Sequence, residues 1–267
     1  METPPPNYAN YPRPGSGGGV GGEYPHRGPG VYFEQIGDAF RLMFKNPKVY
    51  MGAGGIVFAI GVLWYIALIV GMFVMMPKGN AASEDPSAFL AFMGLVYGSE
   101  FVVFLLANIV CAGITVCCLE DLTKGSTDFA TVFSAFKRFI PLTVTTFLCM
   151  LLTFVGYCLC LAPGFYVAGV LCLAPTISVV EKLGPIDSMR RSYEVMQKHG
   201  WLMGLMIFVM YILVCAGSMA CGVGLVITVP LFYVMTGFHY RDFCIPVANN
   251  WVIPNPVPNQ NPYQPPS

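Results

Sequence analysis

The sequence predicts an all-α fold: a polytopic transmembrane helix bundle of about six spans, arranged as three hairpins that are each preceded by an amphipathic interfacial helix. Three observations carry the prediction. Hydrophobic residues make up 55% of the 267 positions and charged residues only 10%, with a mean hydropathy of +0.63. A soluble domain carries roughly 25% charged residues, because its surface must be wetted. Apolar runs recur that are long enough to cross the roughly 30 Å of a bilayer's hydrocarbon. Nearly every Lys and Arg falls on one side of the topology those runs define.

The elements follow in chain order. Residues 1–31 are rich in Pro, Gly and Tyr and too poor in apolar content to bury a core, so they read as a disordered tail. The tail lacks the apolar h-region of a signal peptide, which leaves insertion to the first span. Residues 32–245 form the membrane domain. Over 32–45, Phe33, Ile36, Phe40, Met43 and Phe44 recur at helical spacing, with Glu34, Asp38, Arg41 and Lys45 elsewhere on the wheel. Residues 49–76 are the first span and hold no charge; 101–119 are the second, with an apolar lead-in over 88–98. The second amphipathic helix, 128–140, has Asp128 as its cap and Phe129, Val132, Phe133, Phe136 and Phe139 as its stripe. Spans over 141–160 and 163–180 meet at a tight Leu-Ala-Pro-Gly turn. Pro185 suits the first position of a third amphipathic helix, 185–198, where Ile186, Met189, Tyr193 and Met196 oppose Asp187, Arg190, Arg191, Glu194 and Lys198. Residues 201–220 and 222–238 close a last hairpin around Cys221-Gly222, and Pro230 interrupts its short second arm. Residues 246–267 are a second disordered tail, rich in Pro and Asn.

Charge placement sets the orientation. Arg13, Arg27, Arg41, Lys45, Lys48, Lys124, Lys137, Arg138, Lys182, Arg190, Arg191, Lys198 and Arg241 share one side of a six-span chain, and only Lys78 lies on the other. The positive-inside rule makes that side the cytoplasm, with both termini in it. Removing one or two spans from the count breaks the segregation.

Catalysis needs positioned acids, bases, nucleophiles or metals, and the chain offers few. His26, His199 and His239 are far apart and lack carboxylates at metal-ligand spacing. His199 beside Trp201 reads as an interfacial anchor, and His239-Tyr240-Arg241 as a helix-end cluster that snorkels to head groups. The cysteines from Cys111 to Cys221 lie in or at the ends of apolar runs with no C-x-x-C spacing, so they read as small hydrophobes rather than zinc ligands or disulfides. No cofactor or metal is expected, and a net charge of zero gives no footprint for nucleic acid. Glu100 is the carboxylate whose place depends on where the second span begins. A span beginning near residue 88 buries it as a candidate proton or cation site, whereas one beginning at 101 leaves it solvated at the outer interface, and the length of 101–119 favours the interface. Asn108 lies deep in either case and reads as an interhelical hydrogen-bonding group. Gly113, Gly169, Gly204, Gly217 and Gly224 suit close helix packing; Pro175 and Pro230 suit kinks. In the N-terminal tail, Pro5-Pro6-Asn7-Tyr8 has the P-P-x-Y form that some Pro-binding domains read, which leaves open a cytoplasmic protein partner for the tails.

Over residues 161–205 the motifs become specific: Leu-Ala-Pro163-Gly164-Phe-Tyr, then Ala174-Pro175, Glu181-Lys-Leu-Gly184-Pro185, Ser188-Met-Arg-Arg191-Ser192-Tyr193 and Gly200-Trp201. This stretch resembles the membrane domain attached to some bacterial glycerophosphodiester phosphodiesterases and its stand-alone relatives of unknown function. The resemblance implies a bacterial inner-membrane protein of about six helices. It does not imply hydrolysis, because the acidic and histidine residues of such an enzyme are missing and no soluble phosphodiesterase domain is seen. The function expected is therefore non-enzymatic: organising lipids or partner proteins at the cytoplasmic face. Arg190, Arg191, Lys137 and Arg138 are the candidate contacts to anionic lipid, each basic group near the surface contributing about 1 kcal/mol. The alternative is a transporter or channel for a small or lipidic solute, built on the kinks at Pro175 and Pro230.

Overall fold

A computed structural model describes Tyr24 and residues 27–75, 86–219 and 224–245, and the regular structure among these residues is all helical. The remainder of both tails with the motif at 5–8, most of the loop that holds Lys78, and the turn at Cys221-Gly222 lie outside the described residues. The elements are α1 (Gln35–Lys45), α2 (Pro47–Met75), α3 (Pro86–Lys124), a 3-10 helix η1 (Phe129–Arg138), α4 (Phe139–Leu159), α5 (Leu161–Leu171), α6 (Ala174–Val180), α7 (Pro185–Met196), α8 (Gly200–Met219) and α9 (Leu225–Cys244).

Five segments are long and apolar enough to cross a membrane: Pro47–Gly71, Met93–Lys124, Phe129–Leu159, Leu161–Val180 and Gly200–Met219. The second of these is longer than the expected run over 101–119, because the lead-in joins it in one 39-residue helix, α3. The fourth is broken between α5 and α6 just ahead of Pro175, which takes the first turn of α6, where a missing N–H costs nothing. The predicted sixth span falls in α9, which is less apolar because His239, Arg241 and Asp242 occupy its last turns. Those residues do not snorkel, contrary to expectation. His239, Tyr240, Arg241 and Asp242 are all buried, since α9 packs against α1, α2, α3 and α8.

Pro230 sits inside α9 and deprives the Val226 carbonyl of its helical donor. Gly54 of α2 lies against that carbonyl: a Cβ there would overlap it and stand 2.7 Å from Pro230 Cγ, so only glycine allows the approach. At the crossing of α3 and η1, a Cβ on Gly113 would overlap the Val132 carbonyl, so η1 rests directly on the α3 backbone.

The amphipathic segments form where expected, with a different inward face. In η1 the 3-10 pitch puts residues three apart in register. Val132 and Ala135 turn inward, while Phe133, Phe136 and the following Phe139 are left exposed. In α7 the bundle-facing residues are Ser188, Ser192 and Met196, four apart; Ile186 and Tyr193 of the apolar stripe stay exposed. Ser192 Oγ donates to the Val170 carbonyl at 2.7 Å, so this helix docks through small polar residues.

Candidate functional site

Most of the long-range polar bonds gather at one end of the bundle. Asn46 Nδ2 donates to Asp121 at 2.9 Å and Tyr50 donates to the same carboxylate at 2.8 Å, tying the start of α2 to the end of α3. Gln35 donates to Asp242, and Arg241 donates to the Tyr24 carbonyl at 3.2 Å, tying the N-terminal segment to the end of α9. The Tyr240 hydroxyl donates to Glu181 at 3.2 Å, and Arg191 stands 4.0 Å from the other oxygen of that carboxylate. Burial pushes the Glu181 carboxyl above the usual carboxylate range, with Arg191 and Tyr240 pulling it back.

A cavity of about 360 Å³ opens in this end, lined by Val116, Leu119, Glu120, Thr123 and Lys124 of α3, by Ser134, Lys137 and Arg138 of η1, and by Val179, Val180 and Lys182 around the end of α6, with Ile245. Its bases differ in how they are held. Lys124 is paired with Glu120 at 2.9 Å, and Glu120 also accepts from Thr131 at 2.9 Å. Arg138 donates to the Leu183 carbonyl at 3.1 Å and to the Ser178 carbonyl at 3.5 Å, and its Nε is buried with no hydrogen-bond partner among the described residues. Backbone carbonyls orient that guanidinium without neutralising it. Among the described residues Lys137, Arg138 and Lys182 form no ion pair. Lys182 follows α6 with φ of 58°, a left-handed conformation at the position where helices usually place glycine. The arrangement gives an anion a positive rim and gives a chain attached to that anion an apolar wall of Val116, Leu119, Val179 and Val180.

The predicted contacts therefore separate. Lys137 and Arg138 line the cavity, joined by Lys124 and Lys182, which sequence alone marks only as topology signals. Arg190 is exposed and paired with Glu194 at 3.1 Å, and Arg191 turns inward to Glu181, so neither belongs to the cavity. Glu100 is exposed on α3 and does not line the basic cavity. Asn108 lines a second, larger cavity, its side-chain amide 3.4 Å from the Thr146 hydroxyl oxygen. His199 packs against Phe243 with ring centroids 5.3 Å apart, and Trp201 against Tyr166 at 5.5 Å. Among the described residues no three His, Cys, Asp or Glu side chains gather as metal ligands, and the cysteines are free.

No family model matches the chain, and no solved structure matches it. Uncharacterised proteins of Mycobacterium bovis and Mycobacterium tuberculosis are each 30% identical to it over 145 residues, a stretch that is 52% of this chain and 42% of theirs. The similarity thus spans less than half the length of either relative.

Proposed function

We propose that this chain is a non-enzymatic integral membrane protein that gathers anionic lipid at the cytoplasmic face, with six spans and both termini in the cytoplasm. The observation that carries the reading is the basic cavity. Lys137, Arg138 and Lys182 converge on it from two separate connections, with no ion pair to an acid among the described residues, beside an apolar wall. The six-span count is supported by the polar bonds of Tyr24, Gln35, Asn46, Asp121, Arg138, Glu181 and Asp242, which join both ends of the bundle domain and its connections at one pole. An even number of crossings brings the ends together; five would separate them. The rise along α3 from Leu119 back to Glu100 is about 28 Å, which supports a place for Glu100 at the outer interface. Exposed Phe133, Phe136, Phe139, Ile186 and Tyr193 then face the head-group region, as interfacial helices require. The resemblance over residues 161–205 and the mycobacterial relatives both favour a bacterial cytoplasmic membrane.

The test is lipid preference of the full chain in nanodiscs, read by native mass spectrometry as phosphatidylglycerol retained against phosphatidylcholine. Replacing Lys137, Arg138 and Lys182 together with Gln should lower the preference about a hundred-fold, at about 1 kcal/mol per base. Arg190→Gln should leave it unchanged. A triple variant with the wild-type preference would dismiss the site. A carrier for a lipidic solute is the second reading, favoured by Pro175, because the break ahead of α6 borders the larger cavity.

A further inference from the structure

The larger cavity, about 500 Å³, lies among α3, α4, α5, α6, α8 and α9 and differs in chemistry from the basic one. None of its lining residues is Asp, Glu, Lys or Arg. Met203, Met206 and Met210 of α8 form a pliable apolar wall, and Phe104 of α3 lines the cavity with them. Met150 and Phe154 of α4 line it too, yet are 53% and 63% exposed, so the cavity opens sideways onto the apolar surface of the bundle.

One polar atom in this setting is unaccounted for. His239 is 0% exposed. Its Nδ1 is 2.7 Å from the Met235 carbonyl, which can only accept, so Nδ1 carries the proton and Nε2 is the ring's acceptor. Nε2 is buried with no hydrogen-bond partner among the described residues. Two hydroxyls of the same lining are engaged elsewhere: Thr236 donates to the Phe232 carbonyl at 3.1 Å and Thr146 to the Leu142 carbonyl at 2.9 Å. A buried acceptor without a donor costs about 1–3 kcal/mol, which a ligand with a donor group recovers.

We propose that this cavity binds a single-chain neutral lipid with a free hydroxyl, entering from the bilayer between α4 and its neighbours, the hydroxyl donating to His239 Nε2 and the chain lying along the methionine wall. The volume lies within the range of about 300–1,000 Å³ typical of small-molecule sites, and the absence of charge from the lining selects a neutral head over a phosphate or carboxylate. The proposal is independent of the basic cavity, and its failure leaves the anionic-lipid reading intact.

Photolabelling of the full chain in nanodiscs tests it, using hexadecanol that carries a diazirine on its chain, the matching methyl ether and the matching carboxylate. The alcohol should label peptides from α3, α4 and α8 that line the cavity. The ether and the carboxylate should each label about ten-fold less, the loss expected when a buried acceptor goes unpaired. His239→Gln, which keeps an acceptor near Nε2, should retain labelling within about three-fold, whereas His239→Phe should lose about ten-fold. Met206→Trp should block all three probes. Equal labelling by alcohol and ether in the wild type, or labelling that Met206→Trp leaves unchanged, would overturn the proposal. The wild-type comparison decides even if the Phe variant does not fold.

Discussion

Replacing Lys182 separates backbone strain from charge at a single position. Its φ of 58° places a side chain in left-handed backbone space, which costs an L-residue roughly 1–2 kcal/mol. Glycine removes that cost but adds about 0.4–1 kcal/mol of unfolded-state entropy. Lys182→Gly should therefore be more stable than wild type by about 0.5–1 kcal/mol, whereas Lys182→Ala keeps the strain and gains nothing. Both variants lose the same charge, so each should lose about five-fold in preference for phosphatidylglycerol, the equivalent of about 1 kcal/mol. The stability assay is thermal unfolding in detergent with a thiol-reactive fluorophore, after the exposed Cys158, Cys160 and Cys215 have been blocked by prior alkylation, so that buried Cys111, Cys117 and Cys118 report opening. A Gly variant no more stable than the Ala variant would refute the strain. Undiminished lipid preference in both would remove Lys182 from the site. If both effects appear, the protein maintains a less stable backbone to hold a cation at the cavity rim.

Further outcomes follow from the same geometry. Reporter fusions after residue 1, within 130–137, within 187–198 and after residue 250 should read cytoplasm, one within 79–87 should read the opposite side, and Glu100→Cys in a Cys-free background should react with water-soluble thiol reagents from that opposite side. Gly54→Ala should destabilise by about 1–3 kcal/mol, because the added methyl meets Pro230 and the Val226 carbonyl; an unchanged thermal midpoint would mean that α2 and α9 are not in this close contact. Glu181 has a folded value raised above its unfolded value of about 4.3. It therefore adds stability below the unfolded value and loses it as pH rises through the folded one. Wild-type midpoints should fall across that window, and those of Glu181→Gln should stay level.

Much of this architecture is legible in the chain, because membrane spans follow from local composition. Uninterrupted apolar runs become α2, α4 and α8 nearly to their ends, and Pro175 marks the break in the fourth span. The inward faces are harder to read. An α-helical wheel groups Val132 with Phe133 and Phe136, but the 3-10 pitch of η1 separates them, and the seat on Gly113 is set by a neighbour that no local window contains. The basic cavity is hidden for a related reason. Lys124, Lys137, Arg138 and Lys182 share a side by the charge rule, but their convergence depends on the Leu183 carbonyl that orients Arg138 and on the turn after α6. His239 is misread because snorkelling presumes a helix end at the surface, and the end of α9 lies inside the bundle.

The central position of α9 has a bearing on biogenesis. A translocon partitions each segment by its own affinity for lipid, and charges such as Arg241 and Asp242 count heavily against a segment when they lie deep in it. The ribosome releases α9 after α1, α2 and α3, the very elements that receive it. Its polar end finds Gln35 and the Tyr24 carbonyl already in place, so the first-made part of the domain acts as the template for the last. A nascent chain halted before residue 225 leaves those groups and the groove at Gly54 without their partner, and such a product is the form that membrane quality-control proteases should recognise.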